Sequence, residues 1–412
     1  MVPSAHAAGR SSYPGDMTTP RWPYPLLRLK PGKETMLSKR HPWVFSGALA
    51  KPSEVHLVRL ADDSGQVLGV GTASPANPLA ARIFRFEDAP LDDAFFRDRF
   101  ESALALRKEL GLWDPEGGCR WIFGEGDGLP GLVVDRYAQA LVLQVGTAGL
   151  EILRDLWWPI LFEIGKREGI TAFVERSQSG RRDEGLDPVN RLLKGSLAGP
   201  VTVREGDAKL TADLLRGQKT GFFLDQREHR LQLGRVSKDK RVLNAFGYTG
   251  GFSIHAGLGG ATEVATLDIS APALDQAERD WAANGLDPAG HIRMEGDAFE
   301  LMRQLEPFGW DRVIVDPPAF AKQRKDVDKA FKAYKDVFRL GARATAPGGL
   351  LWCFSCSQHL DRTRFQEAVW TALLEAGREA RVLAHLGQPA DHPYSLNHPE
   401  GFYLKGLWLR VE

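Results

Sequence analysis

Asp316 and Cys356 are the two side chains of the C-terminal half whose positions in the sequence best suit them to chemistry. Asp316 follows the largely apolar segment 312–315, and Cys356 follows the apolar segment 350–354. If both segments are strands of one parallel sheet, their carboxyl ends share an edge, where doubly wound α/β folds bind ligands. The spacing therefore predicts an acid and a thiol in one site.

The residues after Asp316 predict a rigid wall for a flat ligand. Pro317 and Pro318 cannot continue a strand, so they fix the chain behind the carboxylate. A carboxyl group can meet the polar edge of a planar base while an aromatic ring such as Phe320 covers its face. We predict that Asp316, Pro317, Pro318 and Phe320 contact a base; a purely structural turn is the alternative.

A thiol at position 356 has a specific chemical use. Carbon 5 of a pyrimidine is a poor nucleophile until a thiolate adds to carbon 6; carbon 5 can then attack a sulfonium methyl group, lose its proton and release the thiol. The thiolate needs a lowered pKa, which the N-terminus of the helix near Asp361 could provide. The alternative is that Cys356 is a small buried residue at a strand end, as we expect for Cys353.

A second group of residues predicts a nucleoside cofactor. A glycine-containing turn after the first C-terminal strand lets a cofactor approach the backbone and the next helix N-terminus. Asp268 ends the second strand, where a carboxylate accepts hydrogen bonds from ribose hydroxyls; Ser270 beside it is also a candidate helix N-cap. Asp297 and Ala298 end the third strand, where adenine usually lies. The predicted contacts are Asn244, Phe246, Gly247, Tyr248, Thr249, Gly250, Asp268, Ser270, Asp297 and Ala298.

The elements that carry these residues predict an α/β protein. After Gly217, strands and helices alternate, which indicates a Rossmann-like, doubly wound, mostly parallel sheet with a hairpin at its edge. Short strands and turns fill the N-terminal part, and 177–200 is polar and rich in loops. We predict a disordered extension at 1–25, a β-rich domain at 26–90, a central α/β domain at 91–200 and the cofactor domain at 201–412.

The amino-acid composition further restricts the class of protein. The 412 residues are 43% hydrophobic and 26% charged, with equal numbers of acidic and basic groups. This balance is typical of a globular protein, and neither a membrane span nor a secretory signal is recognisable, so we expect a cytoplasmic protein. Three cysteines argue against a disulfide framework, and no spacing predicts a metal site. Local basic stretches at 21–51 and 320–339 could bind phosphates.

Together these motifs resemble the bacterial 23S ribosomal RNA large-subunit methyltransferases that make 5-methylcytosine. The similarity covers about residues 26–412. Besides the segments already described, it rests on K-R-H-P-W-V-F-S-G-A at 39–48, G-E-G-D-G-L-P-G at 124–131, K-T-G-F-F-L-D-Q-R at 219–227, and D-H-P and P-E-G-F-Y-L-K-G near the C-terminus.

The resemblance implies three parts: a PUA domain, which is an RNA-binding β-barrel, a central α/β domain and a domain that uses S-adenosylmethionine. It implies that Lys39 and Arg40 contact RNA. It further implies that Phe223, Asp225 and Arg227 cover the methionine end of the cofactor. Cys356 would be the nucleophile, and Asp316 would orient a cytosine and border the cofactor. The implied partner is 23S rRNA or an assembling large subunit, and a homodimer is compatible with the sequence.

Three other functions stay open. A related family methylates guanine in the same RNA, but it has asparagines where this chain has Cys356 and Ser357. A non-catalytic RNA-binding assembly factor could retain the cofactor fold. A nicotinamide oxidoreductase is disfavoured because the glycine turn lacks the G-x-G-x-x-G spacing.

Overall fold

The computed structural model describes residues 21–75, 77–178, 180–321 and 323–412. Residues 1–20, most of the predicted disordered extension, lie outside the described residues. The prediction of disorder is wrong for 21–25, because Tyr24 is buried and its hydroxyl accepts a hydrogen bond from the Leu91 amide at 3.3 Å. The apolar ring of Tyr24 packs into the same core as Phe95 and Phe96.

The first sheet, here called the N-terminal sheet, has the order β1-β3-β4-β5-β2. β1 runs parallel to β3, and the other pairs are antiparallel. Leu27, Val44, Leu60 and Ile83 are buried together in its own core. Its elements are β1 Leu26–Arg28, α1 Thr35–Ser38, β2 Trp43–Phe45, β3 Leu57–Ala61, β4 Val67–Ala73 and β5 Leu79–Arg85.

The central sheet has the order β10-β9-β8-β7-β6, with only β8 and β9 parallel among the described strand pairs. Phe100, Trp121 and Trp157 fill the core that it shares with α2 and α4. Its elements are α2 Asp93–Glu109, β6 Gly118–Phe123, β7 Leu132–Tyr137, β8 Ala140–Val145, α3 Ala148–Ile152, α4 Arg154–Arg167, β9 Ala172–Ser177 and β10 Val189–Lys194.

Strand β10 lies within 177–200, the segment predicted to be polar and rich in loops. Its side chains are exposed or half-buried because it lies at the edge of the sheet. An edge strand is held by backbone pairing to its single neighbour, here β9, so most of its side chains can stay exposed.

A hairpin leads into the C-terminal sheet. β11 Val201–Glu205 and β12 Ala208–Ala212 pair antiparallel and turn at Gly206, whose φ of 59° favours glycine. The next elements are α5 Arg227–Arg235, β13 Arg241–Ala245, α6 Gly251–Leu258, β14 Glu263–Asp268, α7 Ala271–Ala283, β15 His291–Glu295, α8 Ala298–Gln304, β16 Trp310–Val315, α9 Val327–Ala344, β17 Thr345–Ser355, α10 Arg362–Glu375, β18 Ala380–Leu386 and β19 Lys405–Val411.

The described strands of this sheet have the order β15-β14-β13-β16-β17-β19-β18. β13 to β17 are parallel, and β19 is inserted antiparallel between β17 and β18. The strand order reverses between β13 and β16, and crevices at such switch points bind ligands. This is the predicted Rossmann-like sheet with a hairpin at its edge.

A loop at 387–404, between β18 and β19, joins the central and C-terminal sheets through the fully buried Asp391. Its carboxylate accepts hydrogen bonds from the Arg120 amide at 2.9 Å and from the Arg227 guanidinium at 3.0 Å. Arg107 of α2 donates to the Asp391 carbonyl at 2.9 Å. Three elements distant in sequence therefore hold this loop.

The same loop contacts the N-terminal sheet around Trp43. The Trp43 indole donates to Glu125 at 2.7 Å, and its ring lies 4.4 Å from that of His398. His41 Nε2 is 3.2 Å from a carboxylate oxygen of Glu400. Segments 39–48 and 124–131 and the C-terminal motifs thus meet at one junction between the sheets.

Within the described residues, no helix is long and apolar enough to span a membrane. The same residues hold no group of three or more His, Cys, Asp or Glu side chains that could bind a metal ion.

Candidate active site

A cavity of about 350 Å³ opens at the carboxyl ends of the parallel strands of the C-terminal sheet. Each strand from β13 to β17 contributes residues that follow its last position. The predicted residues that line it are Phe223, Asp225, Phe246, Gly247, Tyr248, Thr249, Asp268, Asp297, Ala298, Asp316, Pro317, Pro318, Phe320 and Cys356. The structure therefore brings the predicted cofactor residues and the predicted base-binding residues to one site.

The turn after β13 is strained in a way that opens the cavity. Phe246 and Tyr248 both have positive φ, at 60° and 48°, although neither is a glycine. Between them, a Cβ on Gly247 would lie 2.6 Å from Thr266 Cγ2. Strained backbone of this kind concentrates at ligand-binding sites.

Two carboxylates on the far side of the turn are held by backbone amides. Asp268 accepts from the Tyr248 amide at 2.8 Å and from the Ser270 amide at 2.9 Å, one on each oxygen. Asp297 caps α8 through one oxygen, which accepts from the amides of Phe299 and Glu300. Both carboxylates keep free lone pairs that could accept hydroxyl or amine donors.

Asp225 is a buried carboxylate in the wall formed by residues 217–226. One oxygen accepts from the Lys219 ammonium at 2.6 Å and from the Tyr403 hydroxyl at 2.7 Å. The other is buried and has no hydrogen-bond partner among the described residues. Burial by itself would raise the pKa of Asp225, but Lys219 and His392 together hold it well below its usual range. Asp225 is therefore charged and has an acceptor to offer.

The pKa of Asp316 is shifted in the opposite direction, upward. Burial, followed by the nearby charge of Asp225, raises the pKa of Asp316 to about 7. Gln226 donates to the Asp316 carboxylate at 2.8 Å, and its amide oxygen is 2.6 Å from His229 Nδ1. Burial lowers the pKa of His229 to about 4, so this ring is neutral and its Nδ1–H can donate to that oxygen.

The aromatic wall beside Asp316 is braced from α9. The ring of Phe320 lies 4.7 Å from that of Tyr334 and 6.0 Å from that of Phe299. The Tyr334 hydroxyl is 2.8 Å from Ser357 Oγ, which links the Asp316 segment to the segment after β17. The face of Phe320 is thus fixed relative to Cys356.

Cys356 lines the cavity, while Cys353 is fully buried in the core as predicted. The prediction of a lowered thiol pKa is wrong: burial raises the pKa of Cys356, and Asp316 raises it further, with Lys219 acting against them. Helix α10 begins six positions after Cys356, and its N-cap Asp361 already accepts from the Arg364 amide at 2.8 Å.

Four predicted cofactor residues lie outside the cavity lining and support it from behind. The Arg227 guanidinium points to Asp391, and the Asn244 amide donates to Ser253 Oγ at 3.0 Å. Gly250 has a φ of 74° and packs against α7, where a Cβ would lie 2.8 Å from Ala277 Cβ. The Ser270 hydroxyl caps α7, its alternative role, so direct side-chain contact with a cofactor is not supported for these residues.

Lys39 and Arg40 do not line the cavity either. Both are exposed near the N-terminal sheet, where Arg40 has a φ of 59° and its guanidinium lies 5.6 Å from the ring of Phe86. Their predicted contact with RNA stays a prediction.

Sequence reasoning missed cavity residues that include Lys219, Gln226 and Ile269, and it missed Tyr403, which donates to Asp225. Lys219 and Gln226 stand inside the K-T-G-F-F-L-D-Q-R segment and could have been found there. Ile269 follows Asp268 directly and is 74% exposed on the cavity wall, an apolar residue conspicuous at a strand end. Tyr403 belongs to the 387–404 loop and to the P-E-G-F-Y-L-K-G segment, but its local sequence does not indicate that it reaches Asp225.

Comparison with known proteins defines the class. A PUA-like domain model matches residues 27–86, and an S-adenosylmethionine-dependent methyltransferase model matches residues 187–384. The solved structure of a SAM-dependent methyltransferase from Streptococcus mutans covers 94% of this chain and 100% of its own, with a TM-score of 0.81 at 22% identity. The methyltransferase SMU.776 complexed with SAH gives a TM-score of 0.82 at the same identity and coverage. The fold is that of an S-adenosylmethionine-dependent methyltransferase with an N-terminal PUA-like domain.

Sequence relatives give the family. The ribosomal RNA large subunit methyltransferase I of Shewanella denitrificans is 39% identical over 395 residues, which are 93% of this chain and 99% of that protein. The protein of the same name from Alteromonas mediterranea is 40% identical over 393 residues, 93% of this chain and 98% of its own. The chain belongs to the ribosomal RNA large subunit methyltransferase I family. The predicted fold class and the S-adenosylmethionine cofactor are confirmed.

Proposed function

We propose that this protein methylates carbon 5 of a cytosine in 23S ribosomal RNA, with Cys356 as a covalent nucleophile. The observation that carries the proposal is that Cys356 and the proton-holding Asp316 line the same cavity as the amide-anchored Asp268. The ribosomal RNA named in the relatives supports the substrate class.

The cavity has the acceptors that S-adenosylmethionine requires. The free oxygen of Asp225 and the hydroxyl of Thr249 are buried without partners among the described residues. We propose that Asp225 meets the cofactor ammonium and that Asp268 meets the ribose hydroxyls, because each offers unused lone pairs. When bound, the cofactor supplies an electrophilic methyl group on a sulfonium. The proposed contacts are Phe223, Asp225, Phe246, Gly247, Tyr248, Thr249, Asp268, Asp297, Ala298 and Asp316.

In the proposed reaction the Cys356 thiolate forms a bond to carbon 6 of the cytosine. The electron pair of the 5,6 double bond shifts to carbon 5, which takes the methyl group. A base then removes the carbon 5 proton, the double bond re-forms, and the bond between sulfur and carbon 6 breaks to return the thiolate. The reaction transfers one methyl group from the sulfonium sulfur, which keeps the electron pair of the broken bond, and it releases one proton.

Asp316 is suited to act as the acid in this reaction. Addition at carbon 6 places negative charge on the ring, and nitrogen 3 shares it through conjugation. A carboxyl group with a pKa of about 7 is protonated often enough near neutral pH to donate to nitrogen 3. The neutral form also removes a negative charge that raises the pKa of Cys356. Phe320, braced by Tyr334, would cover the face of the base.

RNA that contains 5-fluorocytosine tests the covalent step. Fluorine at carbon 5 cannot leave as a proton, so methylation should stall as a protein–RNA adduct that survives a denaturing gel. We expect this adduct with the wild-type protein and with Cys353→Ala, the matched buried control, and none with Cys356→Ala. An adduct with Cys356→Ala, or methyl transfer by that variant, would refute the role of Cys356.

Nucleoside mass spectrometry of ribosomal RNA from a strain that lacks the gene tests the product. We expect one 5-methylcytosine to disappear and to return with wild type but not with Cys356→Ala. Loss of a methylguanosine would move the reaction to the guanine alternative, and no change in any methylated nucleoside would favour a non-catalytic assembly role.

A further inference from the structure

Arg230 of α5 is a buried cation on the wall of the active-site cavity. Among the described residues that line this cavity, Arg230 and Lys219 are the two that carry a positive charge. Lys219 is already engaged, because its ammonium is 2.6 Å from Asp225, and its side chain is 35% exposed. A ligand anion in the cavity would therefore find its buried cationic partner in Arg230.

Three hydrogen bonds fix the Arg230 guanidinium and leave part of it unused. Glu205 accepts from its Nε and Nη2 at 2.6 Å each, and Nη1 donates to the Phe223 carbonyl at 2.8 Å. The guanidinium carbon lies 4.5 Å from the centre of the Phe222 ring. A guanidinium has five N–H groups, so one donor on Nη1 and one on Nη2 have no partner among the described residues. Because the guanidinium is planar and rigid, these two donors keep a fixed direction.

Glu205 supports Arg230 from outside the parallel sheet. It ends strand β11 of the hairpin, it is buried, and it does not line the cavity. One of its oxygens also lies 2.9 Å from His255 Nε2 of α6. Burial by itself would raise the pKa of Glu205, but Arg230 and His255 together lower it to about 2. Glu205 is therefore charged and holds the guanidinium between the hairpin and α6.

The position of Arg230 matches the amino-acid end of the cofactor. Phe223, whose carbonyl Arg230 holds, is two residues from Asp225, a chain span of at most about 7 Å. Asp225 has a free buried oxygen that suits an ammonium, and in an α-amino acid the ammonium and the carboxylate share one carbon atom. On the other side, a Cβ on Gly251 would lie 3.0 Å from Arg230 Cδ. Gly251 begins α6, whose first turn has no side-chain cap, and such a helix end favours an anion.

We propose that Arg230 binds the carboxylate of the amino-acid end of S-adenosylmethionine and that Glu205 is the positioning residue that holds its guanidinium. Asp225 takes the ammonium, so the site recognises both charges of the amino acid. This assignment rests on the proposed contact of Asp225 with the ammonium. It does not depend on the role of Cys356 or on the RNA substrate.

Calorimetry of the full-length protein with two ligands tests the assignment. S-adenosylhomocysteine has the carboxylate, whereas decarboxylated S-adenosylhomocysteine has a hydrogen in its place and keeps the ammonium. We expect the wild-type protein to bind the first ligand about 10–100-fold more tightly, because only that ligand can accept from the free guanidinium donors. Equal affinity of the wild-type protein for the two ligands would overturn the proposal without any variant.

A double variant shows whether Arg230 causes this preference. Arg230→Met combined with Glu205→Gln removes both charges, so that no buried charge is left unpaired, and the two affinities should then agree within about threefold. Equal weakening of both ligands would leave the preference intact, which would mean that Arg230 has a structural role only and would refute the assignment. Glu205→Gln alone should lower the preference severalfold, and an unchanged preference would remove its positioning role.

Two variants from the same cavity serve as controls. Lys219→Met should keep the preference for the carboxylate; its loss there, with retention in the Arg230 variant, would assign the carboxylate to Lys219 and overturn the proposal. Asp225→Asn should weaken both ligands alike, because both have the ammonium. Unchanged binding in Asp225→Asn would therefore refute the ammonium contact separately, while the preference for the carboxylate still reports on Arg230.

Discussion

Replacing Asp316 with asparagine is expected to stabilise the folded protein at pH 8. The pKa of this carboxyl rises from 3.8 to about 7 on folding because the site is buried. Between about pH 4 and 7 the unfolded chain has released the proton while the folded chain still holds it, so stability falls as pH rises through this window. Above pH 7 the cost of the buried charge is fully present. Asparagine carries no charge at any pH and can still accept from Gln226.

The size of the expected stabilisation follows from the shift in the pKa of Asp316. A rise of about 3 units corresponds to about 4 kcal/mol at most. Asp316 is only half-buried at the cavity wall, and water there screens its charge, so we expect about 1–2 kcal/mol. For a domain of the size of the one at 201–412, this stabilisation corresponds to a gain of roughly 2–8 °C in melting temperature. At pH 4 the two proteins should melt together.

Thermal unfolding of both proteins at pH 4, 6 and 8 measures the effect, and Asp225→Asn is the matched control from the same cavity. The pKa of Asp225 is depressed, so its charge stabilises the fold above its unfolded pKa, and its loss should lower the melting temperature at pH 8. If Asp316→Asn melts at or below wild type at pH 8 while Asp225→Asn behaves as expected, Asp316 is not a strained buried acid and its proposed proton-donating role loses its basis.

Three further predictions concern binding and stability. Asp268→Ala should weaken S-adenosylhomocysteine binding by about 1–3 kcal/mol in calorimetry, because ribose hydroxyls would lose their acceptor; unchanged affinity would contradict the assignment. Arg227→Met should lower the free energy of unfolding by about 3–5 kcal/mol, because it leaves the buried charge of Asp391 without its guanidinium partner. The cofactor affinity of the folded variant should stay within a few-fold of that of wild type. A loss of affinity without a loss of stability would restore Arg227 as a cofactor contact. Lys39→Ala combined with Arg40→Ala should raise KM for RNA and leave kcat unchanged, whereas an unchanged KM would remove both from the RNA surface.

The fold was predictable where the sequence repeats one physical pattern. Apolar strands that alternate with amphipathic helices specify a doubly wound sheet, and the structure has this sheet with the predicted hairpin at its edge. Prediction failed at the periphery. Strand β10 is largely exposed because it lies at the edge of the sheet, and Tyr24 is ordered by contacts with residues about 70 positions away. Neither effect leaves a local trace in the sequence.

The contrast between local patterns and distant contacts also explains which site residues could be predicted. Strand-end residues such as Asp268 and Asp316 are placed by local structure and by the common edge of the sheet. Gln226 and Tyr403 reach the site through contacts with residues 90 and 178 positions away. Arg227 shows the converse: it belongs to a motif near the cofactor wall, yet its guanidinium holds the 387–404 loop because Asp391 needs a buried cation.

Asp225 and Asp316 line one cavity, and their pKa values are shifted in opposite directions. In such a pair, the carboxyl group with the raised pKa can act as an acid, while the one with the lowered pKa stays charged. Asp225 stays charged because Lys219 and Tyr403 satisfy one oxygen, and its free oxygen suits a cationic ligand. Its negative charge in turn adds to the effect of burial in raising the pKa of Asp316, which suits Asp316 to the proton donation that the proposed reaction requires. Removing the charge of Asp225 should therefore lower the pKa of Asp316 and move the alkaline limb of the pH–rate profile to lower pH. A purely structural Asp225 would leave that limb in place, so this shift separates electrostatic coupling from simple packing.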